Sequence, residues 1–142
     1  MSYLWVMIGS AIGGLLRYTI TRWTLAVDTG TGFPYGTLAI NIIGSFVIGY
    51  FGTLTLQSTR FAVSPNARLF VMVGICGGFT TFSSFSLQTF DLMRTGLWGK
   101  ALANVIVSIV LCIAAVGAGH MLAHRTVARF AIAETAEEEY TG

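Results

Sequence analysis

The chain has 142 residues, 54% of them hydrophobic, with a mean hydropathy of +0.74 and only 10% charged, against roughly 25% charged in soluble globular proteins. Such a composition belongs in a bilayer and excludes an ordinary soluble domain. The formal charge of +2 is carried by scattered Lys and Arg with no basic stripe, which excludes nucleic acid as a partner, and the absence of any acid before Asp28 or between Asp28 and Asp91 removes most proton-relay and acid–base mechanisms.

A helix that crosses a hydrocarbon core of about 30 Å needs roughly 20 mainly apolar residues. Four segments meet that need, at about 3–26, 36–56, 68–94 and 98–124. The first begins at an N-terminus with no basic leader and no clear cleavage site, so it reads as a retained span. Turn-forming residues at 28–34, a polar stretch at 57–66 and Gly96 separate the spans. The reading is one all-α domain of four membrane helices at 1–124, followed by a polar, acidic tail at 125–142 with too little apolar content to pack and expected to be mobile. Four spans leave little interior for an ion path, and the 17 glycines suit tight helix contacts, so an oligomer is expected. Arg60, Arg68, Arg125 and Arg129 fall on one side of the membrane and Arg22, Arg94 and Lys100 on the other. That near balance permits insertion in both orientations and pairing with an inverted copy.

Within the first span Arg17 is the strong charge, and an intramembrane Arg either attracts an anion or snorkels to the interface and caps carbonyls. In the second span Thr37, Asn41 and Ser45 recur every four residues and share a face. Asn41 must find hydrogen-bond partners, either across a helix interface or on a passing anion. The third span contains the densest signal, residues 74–86, dominated by glycine, hydroxyls and phenylalanine. Gly77 and Gly78 favour a break in the helix there, and broken backbone at membrane depth persists only where it is buried or lines a cavity. Freed carbonyls at such a break suit a cation. Phe79, Phe82 and Phe85, spaced by three, are expected on one face as packing residues or as ring edges that favour an anion. Cys76 and Cys112 sit in apolar segments and read as small buried hydrophobes. Asn104, Ser108 and Cys112 form a second stripe at steps of four on the fourth span. His120 and His124, in its last turn, are assigned no role.

These residues resemble the Fluc (CrcB) family of fluoride channels, through Gly-Gly-Leu-Leu-Arg17-Tyr, Gly36-Thr-Leu-Ala-Ile-Asn41 and, above all, Gly77-Gly-Phe-Thr-Thr-Phe-Ser-Ser-Phe-Ser86. The resemblance implies an antiparallel, dual-topology homodimer of four-helix subunits in the cell inner membrane, with a broken third helix. It also implies passive, electrogenic fluoride export that limits toxicity, with no enzymatic step. A structural Na+ at the dimer interface would be held by the backbone carbonyls of Gly77 and Thr80. The fluoride path would run past Asn41, Phe82, Phe85 and Ser108, with Thr81 and Ser84 from the same motif and Arg17 near the pore mouth. Asn104, Cys112 and Gln88 depart from the expected pattern, at positions where tyrosine, a hydroxyl and an acid are common.

Two other classes compete. A small multidrug-type exporter needs an intramembrane carboxylate, and the first span has Arg17 instead. A non-transporting membrane assembly subunit would use both polar stripes only for packing. A membrane hydrolase lacks a recognisable Ser/His constellation.

Overall fold

A computed structural model describes residues 2–57 and 61–141, the side chains of residues 57 and 134–141 excepted. Arg60, counted above on one side of the membrane, and Gly142 of the tail lie outside these residues. The described residues form helices and no strands, and four helices are long and apolar enough to cross a membrane.

Helix α1 spans Ser2–Thr31 and α2 spans Tyr35–Gln57. Asp28 joins them: both its carboxylate oxygens accept from the Gly36 N–H, each at 3.2 Å, and one also accepts from the Thr24 hydroxyl. A carboxylate at a helix N-terminus satisfies donors that have no intrahelical acceptor and complements the helix dipole. The one acid in the first ninety residues thus closes a turn.

The third span is composite. Ser64 caps the short α3, Pro65–Arg68, by accepting from Ala67 N–H at 3.2 Å. The chain then widens into a π-helix, Leu69–Cys76, here π1, returns to α geometry in α4, Gly77–Phe79, and resumes as α5 over Phe82–Arg94. Between α4 and α5, Thr80 (φ −73°, ψ 157°) and Thr81 (φ −152°, ψ 106°) are extended. The extended residues therefore lie just beyond the Gly77-Gly78 pair on which the sequence reading centred the break, because Gly77 itself is helical (φ −65°, ψ −37°). Two β-branched residues tolerate extended geometry well, and the Thr80 hydroxyl and N–H both bond back to the Cys76 carbonyl, each at 2.9 Å, which seals the end of α4.

Gly96, at φ 78°, forms the left-handed turn after α5, where Leu97 N–H reaches the Leu92 carbonyl at 2.8 Å. Helix α6 then runs Trp98–Thr141, well beyond His124 where the sequence reading ended the fourth span. Residues 125–141 hold no Pro or Gly. The change from apolar to polar residues ends a membrane span, but it does not end a helix.

α2 and α6 form the most extensive pairing, with Gly49 against the Val116 backbone and Gly119 against that of Phe46 and Tyr50. α1 packs on π1 and α4. Gly13 allows this second contact, since a Cβ there would overlap the Ile75 carbonyl oxygen and lie 2.8 Å from the Phe79 nitrogen. Small residues of this kind let membrane helices gain dispersion contact where lipid removes the hydrophobic drive. The interior is thin: only 11% to 28% of each span's most apolar stretch is buried. Ile40 and Asn104 are the largest fully buried side chains.

Candidate functional site

The break in the third span opens onto a partly open cavity of about 410 Å³. α2 supplies Asn41, Gly44, Ser45 and Ile48, π1 supplies Met72 and Cys76, and α6 supplies Ser108, Ile109 and Cys112. Gly77, Thr80, Thr81, Phe82 and Phe85 complete the wall. Asn41 and Ser45 of one polar stripe, Ser108 and Cys112 of the other, and the glycine–hydroxyl–phenylalanine motif, separate in sequence, converge on one space, while Thr37 and Asn104 stay outside it.

Asn41 clamps the break. Its Oδ1 accepts from the Thr81 N–H at 2.8 Å while its Nδ2 donates to the Thr81 carbonyl at 3.2 Å. An amide offers a donor and an acceptor on two adjacent atoms, which matches one extended residue's backbone pair. One Nδ2 hydrogen is used on Thr81, so a second remains for the cavity. The Thr81 side chain, itself 6% exposed, caps α5: its Oγ1 accepts from Ser84 N–H at 3.2 Å and donates to Ser84 Oγ at 2.9 Å.

These diversions free two carbonyls. In a continuous helix the Thr81 N–H would serve the Gly77 carbonyl and the Ser84 N–H the Thr80 carbonyl, but the first bonds Asn41 and the second the Thr81 hydroxyl. A Cβ on Gly77 would meet nothing within 4 Å, so the backbone is open to approach there. Among the described residues no cluster of His, Cys, Asp or Glu suited to a metal occurs. Neutral carbonyl oxygens are therefore the donor set that the break itself offers.

Phe82 and Phe85 meet at a ring-centroid distance of 5.4 Å and an interplanar angle of 42°. Phe82 is 78% exposed, whereas Phe79 is 7% exposed. The three phenylalanines therefore do not share the face that their spacing suggests, because the extended Thr80–Thr81 pair resets the helical register between Phe79 and Phe82. Phe79 belongs to the interior, beside Gly13 and Gly44.

On α6, Asn104 is 2% exposed and Ser108 is 7% exposed. Ser108 Oγ donates to Asn104 Oδ1 at 3.5 Å, Asn104 Nδ2 donates to Thr89 Oγ1 at 2.8 Å, and Thr89 Oγ1 donates to the Phe85 carbonyl at 2.7 Å. This relay ties the cavity-lining serine to the helix that carries the phenylalanines. Thr89 was absent from the sequence reading, since nothing local marks a threonine one turn after Phe85 as the partner of a residue fifteen positions on. Replacing Asn104 with Leu is expected to lower stability by about 1–3 kcal/mol, the penalty for leaving a buried hydroxyl without its partner. Thermal unfolding in detergent checks it, and an unchanged midpoint would remove the relay from the account.

Two expected site residues do not line the cavity. Arg17 is half-buried on α1, one turn beyond Gly13, and Ser84 turns its hydroxyl back to Thr81. Met72, Ile48 and Ile109 line it without having been read as site residues. Their apolar character hid them among ordinary span residues.

The sequence model of the family described as CrcB-like protein, Camphor Resistance (CrcB), matches residues 4–120. A protein of Methylocella silvestris named fluoride-specific ion channel FluC is 56% identical over 123 residues, covering 87% of this chain and 93% of the relative. FluC proteins of Gluconobacter oxydans and Methylobacterium radiotolerans are 54% and 53% identical, each covering 94% of this chain and 93% of the relative. With the family match spanning all four membrane helices and relatives this similar over nearly their whole length, the chain belongs to the CrcB (FluC) family.

Proposed function

We propose that this chain is a subunit of a fluoride-selective channel of the cell inner membrane, working passively and without catalysis. The observation that carries the reading is the convergence of Asn41, the Thr81 break, Phe82, Phe85 and Ser108 on one cavity in a chain whose relatives are named fluoride channels. Fluoride is small and strongly hydrated, so its passage requires substitute donors that do not hold it too tightly. The spare Nδ2 hydrogen of Asn41 is a conventional donor, and the Ser108 hydroxyl becomes a second one when it turns from its long 3.5 Å bond to Asn104. The electropositive edges of Phe82 and Phe85 add attraction with no competing acceptor. Arg17 would raise the local anion concentration near the mouth, and the Thr81 and Ser84 hydroxyls keep the break polar. None of the residues lining the cavity is a carboxylate, so neither a proton-coupled drug site nor charge repulsion arises there.

The proposed assembly is an antiparallel, dual-topology homodimer. Its support is that Phe82 is 78% exposed on the wall of a cavity that is only partly enclosed, so one copy leaves the path incomplete. The carbonyls of Gly77 and Thr80, stripped of helical donors, fit a hard monovalent cation, and from two copies they would hold a structural Na+. Bound there, the ion would supply positive charge that fixes two breaks against each other. The broken third helix is the element that this assembly requires. We place the channel unit at residues 1–124 and treat 125–142 as an appendage to it.

Liposomes loaded with potassium fluoride and given valinomycin test the function. Rapid fluoride efflux is expected, with none from matched chloride vesicles, and Phe82→Ile is expected to reduce the fluoride rate at least tenfold in protein of unchanged oligomeric state. No efflux from folded protein supplied with sodium would overturn the channel and favour the assembly-subunit reading.

A further inference from the structure

Outside the cavity, one cluster of ligating side chains is already arranged. His120 and His124, four residues apart on α6, share a face, and their Nε2 atoms stand 3.1 Å apart with ring planes at 78°. Thr53 of α2 reaches His120 Nδ1 through its hydroxyl at 2.8 Å. We propose that His120 and His124, backed by Thr53, form a chelate for a divalent transition-metal ion at one end of the α2–α6 pair, separate from the ion path.

Zinc–imidazole bonds run about 2.0–2.1 Å, so two nitrogens 3.1 Å apart subtend an angle close to 100° at a shared metal, inside the range of tetrahedral and octahedral sites. The bite is preset before any metal arrives. A ligating imidazole needs its other nitrogen held as an N–H donor, and Thr53 Oγ1 is placed to accept from Nδ1 of His120, which leaves the Nε2 lone pair toward His124. Imidazole pairs select borderline ions such as Zn2+, Ni2+ and Cu2+ over Na+ or Mg2+. The place also suits a hydrated ion: His120 lies 22 residues after Trp98, about 33 Å along the helix, and the hydrocarbon core is about 30 Å thick. Both histidines are exposed, so water can complete the coordination. Because the ligands sit on α6 and their support on α2, a bound metal would fasten the two helices that pack most extensively.

The test is calorimetric titration of full-length, tag-free protein in detergent with NiCl2, followed by electron paramagnetic resonance with Cu2+. Saturable binding of one Ni2+ per chain is expected, with Cu2+ spectra showing two imidazole nitrogens. His120→Gln and His124→Gln are each expected to abolish it, and Thr53→Val to weaken it at least tenfold while both ligands remain. Metal-free thermal melts establish that each variant is folded. No saturable uptake by folded wild type, or uptake unchanged in both glutamine variants, would overturn the site and reduce the pair to an N–H···N hydrogen bond. Unchanged affinity in Thr53→Val would remove the threonine from it. Fluoride efflux is not the readout, so failure here and failure of the channel assignment are distinguishable.

Discussion

Replacing Asn41 with Asp will reduce fluoride efflux about a thousandfold. Two physical effects act in the same direction. Asn41 presently accepts from Thr81 N–H and donates to the Thr81 carbonyl. An ionised Asp keeps the first bond but turns a second oxygen toward that carbonyl, so the clamp on the extended residue loses one hydrogen bond and gains a repulsion. The larger effect falls on the ion. Two like charges 4 Å apart repel by about 4 kcal/mol at an effective dielectric constant near 20, and each 1.36 kcal/mol on a barrier is a factor of ten in rate. Initial efflux from liposomes, with oligomeric state checked by size-exclusion chromatography, measures the loss. Wild-type efflux from Asn41→Asp would place the path away from this amide.

The largest structural effect is expected at Gly13. A Cβ there meets the Ile75 carbonyl oxygen and lies 2.8 Å from the Phe79 nitrogen and 3.0 Å from the Gly78 carbonyl carbon. All three are backbone atoms, so no side-chain rotation relieves the overlap and α1 must move off the third span. Overpacking usually costs about 1–3 kcal/mol, and Gly13→Val, which strikes backbone with a branched side chain, is expected at or above the top of that range. The readout is loss of the monodisperse peak or a sharply lowered unfolding midpoint. Gly14 is the control, because a Cβ there meets nothing within 4 Å, and Gly14→Ala should stay within about 0.5 kcal/mol of wild type. An unfolding midpoint unchanged in Gly13→Val would remove close approach of α1 to the third span from the account.

The four spans were legible because length and apolarity are local properties, and bilayer thickness converts them directly into helices. The two stripes that contain Asn41 and Asn104 were also legible, since steps of four fix a face on any helix. The limits of that logic show at α6 and at the phenylalanines. The loss of apolar residues after His124 marked the end of a span, yet the helix continues because no residue there breaks it. Phe79 and Phe82 were grouped by a spacing that holds only inside one helix, and two extended threonines separate them.

The sequence by itself determined an all-helical membrane chain with four spans, its family, and a glycine–hydroxyl–phenylalanine segment poor at staying helical. Tertiary structure decided where that segment opens, which carbonyls it frees, and that Thr89 and Thr53 partner Asn104 and His120. The reason is that a helix break is placed by whichever neighbour can satisfy the released backbone groups. Here that neighbour is Asn41, forty residues away on another helix, and no local pattern encodes the pairing.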